Sequence, residues 1–293
     1  MGHSIFAMKK SIFRLVSRLP FGVLYCISDV IYAVLYYIVR YRRRVVRMNL
    51  ENSFPEKSEA ERREIERGFY HFLCDYGVES LKLLTIKPEE MKLHMVFKNC
   101  EAVDRALDTH DFVFVYMGHF GNWEWVSSLP LWLHPRTTLA ELYRPLKSKT
   151  MDELFIELRE HHGARCIPKY DALREIMRLK AEDKKSVIGF VADQTPSPQN
   201  VHLWMDFLSQ DTPIFTGTER IGKKVNAAIF FLDMQRTKRG RYEGTFKLIT
   251  EEPKQYPDFQ ISEICTRELE QTIRRQPSFW LWSHKRWKHK RTQ

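Results

Sequence analysis

The sequence predicts an α/β fold with a mostly parallel central sheet flanked by helices and an N-terminal membrane-associated helical segment. Two observations predict it: short apolar runs alternate with amphipathic segments after residue 111, and one long apolar run, residues 19–39, precedes them. Alternating strands and helices favour a parallel sheet covered on both faces, because parallel strands need crossover connections. With 293 residues, the chain is long enough to bury a substantial core.

Residues 1–45 are predicted to be a membrane anchor or a set of interfacial helices. Residues 1–18 mix basic and apolar side chains in a pattern typical of an interfacial helix. As a helix, residues 19–39 would measure about 30 Å, enough to span a bilayer. Asp29 near the centre costs about 2.5–3.5 kcal/mol in the bilayer, so spanning is only marginally favourable. Both flanks are basic, so the positive-inside rule gives no clear orientation. The run is predicted to be one anchor that spans the membrane or lies in its interface, and a buried helix of the main domain is the alternative.

Residues 46–293 are predicted to form the α/β domain, with a helical lead-in over 46–110 and the core over 111–293. In the lead-in, Ser58 and Glu61 resemble a capping box at the start of a helix. In the core, short apolar runs predict strands and amphipathic stretches predict helices. The predicted strands are 112–117, 138–143, 186–192, 227–234 and 245–250, and the predicted helices are 123–133, 150–162, 171–182, 216–225 and 261–275.

Charge is the most unusual feature of the composition. The formal net charge of +10 predicts an acidic partner, which can be nucleic acid, an anionic membrane surface, or an acidic protein or substrate. The five cysteines include no CxxC pair, so they predict neither a zinc site nor a disulfide framework and favour a reducing compartment. No G-x-S-x-G, Walker A or G-x-G-x-x-G motif supports a serine hydrolase, a P-loop NTPase or a dinucleotide enzyme.

The stretch MGHFGNWEW at 117–125 directly follows the most strand-like run of the chain. Ligands of open α/β sheets bind beyond the carboxyl ends of strands, so His119 lies where chemistry usually happens. Gly121 allows a tight turn and close approach to a ligand, and Asn122 can cap the helix that follows. Glu124 lies in the first turn of that helix, and a carboxylate on one imidazole nitrogen leaves the other free to take a proton from a hydroxyl. The pattern predicts His119 as a general base oriented by Glu124; the alternative is a core histidine beside an unrelated acid.

The same stretch resembles the H-x4-D/E motif of the lysophospholipid acyltransferase superfamily. The wider sequence resembles its lipid A late acyltransferase branch, the lauroyl and myristoyl transferases of lipopolysaccharide assembly. Four further stretches carry the resemblance in order along the chain: RMNLENSFP at 47–55, YRPL at 143–146, ADQ at 192–194 and WLWSHKRW at 280–287. The acid of the family motif is often Asp, and the longer side chain of Glu124 should preserve its contact.

The resemblance implies an acyltransferase domain over 46–293, with its catalytic core over 111–293, at the cytoplasmic face of the inner membrane of a Gram-negative bacterium. The implied reaction moves a fatty acyl group from acyl carrier protein to a hydroxyl of a lipid A precursor. The hydroxyl would attack the thioester directly, without an acyl-enzyme. No metal or other cofactor is expected. By the motif, His119 would be the general base and Glu124 its orienting partner.

Five residues are predicted to bind substrate: Gly121, Asn122, Arg144, Asp193 and Gln194. The guanidinium of Arg144 suits a phosphate or a developing oxyanion, and its alternative is a surface salt bridge. Asp193 and Gln194 follow the predicted strand 186–192, so they lie at the carboxyl edge of the sheet. They are expected to position the acceptor, with capping of their own loop as the alternative.

The resemblance also implies which acidic partners the positively charged protein would bind. They are acyl carrier protein as the acyl donor, a lipid acceptor in the membrane, and the anionic membrane surface. The closest alternative is an acyltransferase with another acceptor, such as a lysophospholipid, an aminolipid or a glycolipid. A nucleic acid partner is not predicted, because the long apolar run and the lack of a recognisable nucleic-acid module count against it.

Overall fold

The computed structural model describes residues 11–291 and has a seven-stranded sheet at its centre, in the order β1-β9-β8-β2-β5-β3-β4. Five strands, β8, β2, β5, β3 and β4, run parallel to one another, and β9 pairs antiparallel with β8. A separate antiparallel hairpin is formed by β6 and β7. The strands are β1 Met95–Lys98, β2 Phe112–Met117, β3 Thr138–Tyr143, β4 Arg165–Pro168, β5 Ser186–Val191, β6 Leu203–Phe207, β7 Gln210–Ile214, β8 Ala228–Lys238 and β9 Arg241–Thr250.

Helices connect the strands and cover the sheet, which confirms the predicted α/β class. The central strands β2 and β5 are almost entirely buried, as their continuous apolar runs predict. The helices are α1 Phe21–Ala33, α2 Arg43–Ser53, α3 Glu59–Lys82, α4 Pro88–His94, α5 Cys100–Thr109, α6 Lys149–Glu160, α7 Ala172–Ala181, α8 Gly217–Val225 and α9 Gln260–Arg275. A π-helical turn, Val34–Val39, continues α1, and a 3₁₀-helix, Trp123–Leu131, follows β2.

Most predicted elements of the core are present, and the differences have local causes. The capping box of Ser58 and Glu61 forms at the start of α3 as expected. The segment after β2 is a 3₁₀-helix that contains Pro130, a residue without a backbone N–H to donate within a regular helix. Strands β1, β4 and the β6–β7 hairpin were not predicted from the sequence. They have only four or five residues each, too few to show a period.

The N-terminal apolar run folds as a helix, and Phe21–Val39 is the one segment among residues 11–291 that is long and apolar enough to cross a membrane. It is not the buried core helix of the alternative interpretation, because most of its side chains are outside the core. Its buried residues are Leu24, Ser28, Tyr32 and Tyr36. The prediction for residues 1–10 lies outside the described residues. The assignment of residues 1–45 and 46–293 to separate parts stays a prediction.

Candidate active site

The register of two neighbouring strands brings His119 and Asp193 together. Strands β2 and β5 are parallel, and Met117 lies opposite Val191 at their carboxyl ends. His119 and Asp193 each come two residues after those partners, so both side chains leave the sheet at the same level. The backbone between them is tight: a Cβ on Gly118 would lie 2.6 Å from Leu269 Cδ1 and 3.2 Å from Asp193 Oδ2.

Asp193 holds His119 through one hydrogen bond to its imidazole and one from its backbone N–H. His119 Nδ1 lies 2.5 Å from Asp193 Oδ1, and the His119 backbone N–H donates to Oδ2 over 2.9 Å. The indole N–H of Trp280 donates to the same Oδ2 over 2.7 Å. Burial acts to raise the pKa of Asp193, but the charge of the His119 ring and these hydrogen bonds outweigh it and lower the pKa to about 2. The carboxylate is therefore ionised at neutral pH.

This arrangement fixes which nitrogen of His119 is free to act as a base. An ionised carboxylate only accepts hydrogen bonds, so the proton of the neutral ring lies on Nδ1 and the lone pair on Nε2. Nε2 lies 3.2 Å from Nε2 of the exposed Gln194, whose amide can donate to that lone pair. The His119 side chain is 18% exposed, so a substrate hydroxyl can replace this amide at Nε2.

The predicted contact between His119 and Glu124 is not formed. The Glu124 carboxylate is turned into the protein, where Arg159 donates to its two oxygens over 2.6 Å and 2.9 Å. Tyr76 donates a third hydrogen bond over 3.1 Å. The reason lies in the turn between the two residues, because Gly121 has a φ of +58° and the 3₁₀-helix that follows points Glu124 away from the ring of His119. Proximity in sequence therefore did not predict the carboxylate that contacts His119.

Glu124 and Arg159 belong to a buried charged cluster behind the candidate base. Glu141 on β3 lies close enough to Arg159 and Glu124 to interact with both, and one of its carboxylate oxygens has no hydrogen-bond partner. Burial raises the pKa of Glu141 to about 8, although Arg159 opposes the shift. Trp123 joins this cluster to the site, since its indole N–H donates to Glu124 and its ring lies 5.1 Å from the ring of His119.

Two predicted substrate-binding residues, Gly121 and Asn122, lie inside the fold instead. The backbone N–H of Gly121 donates to Phe279 O over 2.9 Å. Asn122 is 0% exposed: its side-chain oxygen accepts from Trp125 N, the predicted cap, and its amide donates to Glu79 over 3.0 Å. Both residues therefore shape the turn that carries His119, and neither is open to a substrate.

Arg144 lies in the loop after β3 and is exposed. No hydrogen bond or ion pair of its side chain is found within residues 11–291, so its guanidinium is available to a ligand, and the alternative of a surface salt bridge is not what the structure shows. Its predicted role in binding a phosphate or an oxyanion is not tested by this geometry and stays a prediction.

A cavity opens beside Asp193, between the ends of β2 and β8, helix α9 and the β6–β7 hairpin. Its lining is mostly apolar: Tyr116, Phe207, Ile214, Phe215, Phe231 and Leu269. Arg286 also lines it. The Arg286 side chain is 2% exposed and donates to Pro213 O, but its Nε and Nη1 have no partner. Burial lowers the pKa of Arg286 to about 10, so the side chain is charged at neutral pH.

Sequence reasoning missed Trp280, Arg159 and Arg286 as residues of the site. Trp280 and Arg286 fall in the stretch 280–287, which carried the resemblance without a role for either residue. The structure shows why the stretch matters. Leu281 N donates to His119 O over 3.1 Å, so this C-terminal segment pairs with the backbone of the candidate base. Nothing in the sequence around Arg159 indicates its partner.

The chain is similar to a known protein family and to two known proteins. Residues 5–289 match the model of a family described as bacterial lipid A biosynthesis acyltransferase. The chain belongs to this family. Two relatives, the lipid A biosynthesis palmitoleoyltransferase of Escherichia coli (strain K12) and a lipid A biosynthesis acyltransferase of Shigella flexneri, are each 23% identical over 273 residues. Each match covers 92% of this chain and 87% of the relative.

Membership of the lipid A acyltransferase family confirms the resemblance drawn from the five sequence stretches. It identifies the protein as an enzyme that acylates a lipid. Membership of the family does not specify the acyl donor, the exact acceptor or the roles of individual residues.

Proposed function

We propose that this acyltransferase moves a fatty acyl group from an acyl carrier protein thioester to a hydroxyl of a lipid A precursor, with His119 as the general base. The observation that carries the proposal is the His119–Asp193 pair at the carboxyl ends of β2 and β5, in a member of the lipid A acyltransferase family. We assign Asp193, in place of Glu124, to orient the imidazole. Glu124 acts through Arg159 as a structural residue.

The chemistry requires one base and no covalent enzyme intermediate. His119 Nε2 takes the proton of the acceptor hydroxyl as the oxygen attacks the thioester carbonyl carbon. The carbon–sulfur bond then breaks, and the imidazolium returns the proton to the departing thiolate. Throughout, the Asp193 carboxylate stabilises the positive charge that forms on the ring. The ester product and the free thiol balance the atoms of the two substrates.

The cavity beside Asp193 supports a place for the acyl chain. Its apolar side chains match a hydrocarbon, and Asp193, the carboxylate that holds His119, is part of its lining. The unpaired donors of Arg286 suit an oxygen of the thioester or of its tetrahedral intermediate. Arg144 is our candidate for a phosphate of the acceptor, because it is exposed and without an ion pair among residues 11–291.

The charge and the apolar helix support a location. A formal charge of +10 favours an acidic carrier protein and an anionic lipid surface, and it does not by itself call for nucleic acid. With Phe21–Val39 as the membrane-associated segment, we place the enzyme at the cytoplasmic face of the inner membrane of a Gram-negative bacterium. Acyl carrier protein and the lipid acceptor would meet at that surface.

Acyl transfer in detergent micelles tests the proposal. Wild type, His119→Ala and Asp193→Asn each receive labelled acyl carrier protein thioester, with a Kdo-lipid A precursor and a lysophospholipid as competing acceptors. We expect wild type to label the lipid A precursor, and His119→Ala to lower kcat by about 10²–10⁴, the usual contribution of a general base. Asp193→Asn should lower kcat as well and change its dependence on pH, because the ring loses its anionic partner.

Label on the lysophospholipid would leave the base in place and overturn the acceptor. A folded His119→Ala enzyme as active as wild type would overturn the role of His119. Unchanged activity and pH dependence in Asp193→Asn would overturn the assignment of Asp193.

A further inference from the structure

The apolar N-terminal helix is docked against α3 from one end to the other. The apolar helix and α3 run antiparallel, so residues near the start of the apolar helix contact the C-terminal end of α3, and residues near its end contact the N-terminal half of α3. Near its start Lys82 donates to Leu19 O over 3.1 Å, and just beyond its end Arg43 donates to Glu66 over 3.1 Å. Between them, the rings of Tyr32 and His71 stack 3.5 Å apart.

Polar contacts fix the middle of this helix to the domain. Ser28 donates to Asp75 over 2.7 Å inside the interface. Arg239, in the β8–β9 turn, bridges Asp29 and Asp75 at 2.5 Å and 2.7 Å. The turn lies so close that a Cβ on Gly240 would overlap the hydroxyl of Tyr25. The charge of Asp29, which is unfavourable for spanning, is therefore neutralised by the domain itself.

The opposite face of the helix is apolar and uncovered. Its residues recur at the spacing of one helical face, and their exposed fractions run from 42% to 75%: Val23, Val30, Val34, Tyr37 and Ile38. In the preceding helical residues 11–17, Ile12 and Leu15 are also apolar and exposed, at 52% and 66%. Exposed arginines precede and follow Phe21–Val39 along the chain: Arg14, which pairs with Glu157, Arg18, Arg40, Arg42 and Arg44.

We propose that Phe21–Val39 lies in the plane of the membrane, with its outward face inserted into one leaflet, and does not cross the bilayer. The inference rests on the membrane location of the proposed function and adds the way in which the enzyme is attached. Arginines beside an in-plane apolar face match the phosphates of anionic lipids.

The docked interface is what excludes a spanning helix. A helix that crosses the bilayer has lipid or membrane-embedded protein on every side. For this helix the neighbour is α3, so Glu79 and the ion pair of Asp75 with Arg239 would have to enter the hydrocarbon with it, where ionisable side chains are costly. The alternative is to break the contacts of Ser28, Asp29 and Tyr32 along the whole helix. Insertion of the outward face alone requires neither.

Spin-label depth measurements test this orientation. The exposed Cys26 and the half-buried Cys166 are first replaced by serine, which leaves three buried cysteines. Val23→Cys, Val30→Cys, Val34→Cys and Ile38→Cys each carry a nitroxide on the outward face, and Met177→Cys, 44% exposed on α7, is the matched control. The full chain is bound to vesicles of phosphatidylethanolamine and phosphatidylglycerol, and collisions with oxygen and a water-soluble nickel complex report the depth.

We expect all four labels at one similar depth, about 5–10 Å inside the headgroup boundary, with the Met177→Cys label in water. A depth that reaches the bilayer centre at Val30→Cys, with Val23→Cys and Ile38→Cys near opposite surfaces, would show a spanning helix and overturn the proposal. So would labels as exposed to water as the control. The measurement uses no substrate, so its failure is distinct from a failure of the acyl transfer assay.

Discussion

At the scale of single residues, the site depends on one carboxylate with three donors. Asp193 accepts from the ring and the backbone N–H of His119 and from the indole of Trp280. Each bond favours the ionised form, which explains why a buried carboxyl keeps a pKa of about 2. The same bonds hold the imidazole of His119 and favour the folded state, so an effect on the proposed catalysis can be separated from an effect on the fold by measuring stability apart from turnover.

Asp193→Asn should change the stability of the protein in acid. Because the folded-state pKa of Asp193 lies below its unfolded value of 3.8, the carboxylate stabilises the fold above that pH and loses this effect as the pH falls towards 2. The shift corresponds to about 2 kcal/mol, at 1.36 kcal/mol per pKa unit. Urea unfolding of wild type and Asp193→Asn, followed by tryptophan fluorescence, should show this gap at about pH 5 and its loss near pH 2.

Asp206→Asn is the control for that measurement, since Asp206 is exposed on β6 and no hydrogen bond of its side chain is found within residues 11–291. It should unfold like wild type at every pH. A gap between wild type and Asp193→Asn that does not narrow in acid would contradict the role of Asp193 as a stabilising carboxylate.

At the scale of elements, the 3₁₀-helix Trp123–Leu131 is held to α6 by a buried ion pair. Glu124 and Arg159 have side chains 3% and 18% exposed, and two hydrogen bonds join them. Tyr76 on α3 and the indole of Trp123 donate to the same carboxylate. Glu124 therefore links the segment after the candidate base to helices α3 and α6. Its replacement should lower the stability of the protein more directly than it lowers the rate of the reaction.

Glu124→Ala should destabilise the protein by about 3–5 kcal/mol, because it leaves the guanidinium of Arg159 buried without its partner. The double variant Glu124→Ala/Arg159→Met should recover much of that loss, since it removes the unpaired charge as well. Urea unfolding of both variants and of Arg159→Met alone measures the coupling between the two side chains. If Glu124→Ala unfolds like wild type but has lost its activity, the residue acts directly on His119 after all.

At the scale of the whole molecule, the net charge bears on the proposed acidic partners. The excess of ten positive charges belongs to a protein whose candidate active site lies at the carboxyl ends of parallel strands. Long-range attraction of this kind acts on the rate of encounter and is weakened by salt. It should therefore affect the reaction of a protein donor more than that of a small neutral one.

With acyl carrier protein as the donor, kcat/KM should fall about tenfold or more between about 0.05 M and 0.5 M NaCl, because screening removes the steering of an acidic protein. The matched control is the same acyl chain as a thioester of uncharged pantetheine, whose kcat/KM should change little. Equal losses for both donors would mean that salt acts on the enzyme or on the lipid acceptor, and that the positive charge does not steer the carrier protein.

The sequence by itself determined the class of the fold and the place of the candidate base. Continuous apolar runs such as 112–117 and 186–192 can be stable only as buried strands, and a glycine-flanked histidine after such a run must lie at the carboxyl edge of the sheet. The local chain also determined the cap formed by Asn122, because a capping contact spans only three residues. These features depend on residues that are close in sequence.

Only the tertiary structure decided which acid orients His119. The choice depends on β5 lying beside β2, a pairing between segments about seventy residues apart, and this strand order brings Asp193 to the imidazole while the turn at Gly121 sends Glu124 to Arg159. The same holds for the N-terminal helix. Its composition allows both a spanning and an in-plane orientation, and the distinction comes from Asp75 and Arg239, which meet it only when the chain is folded.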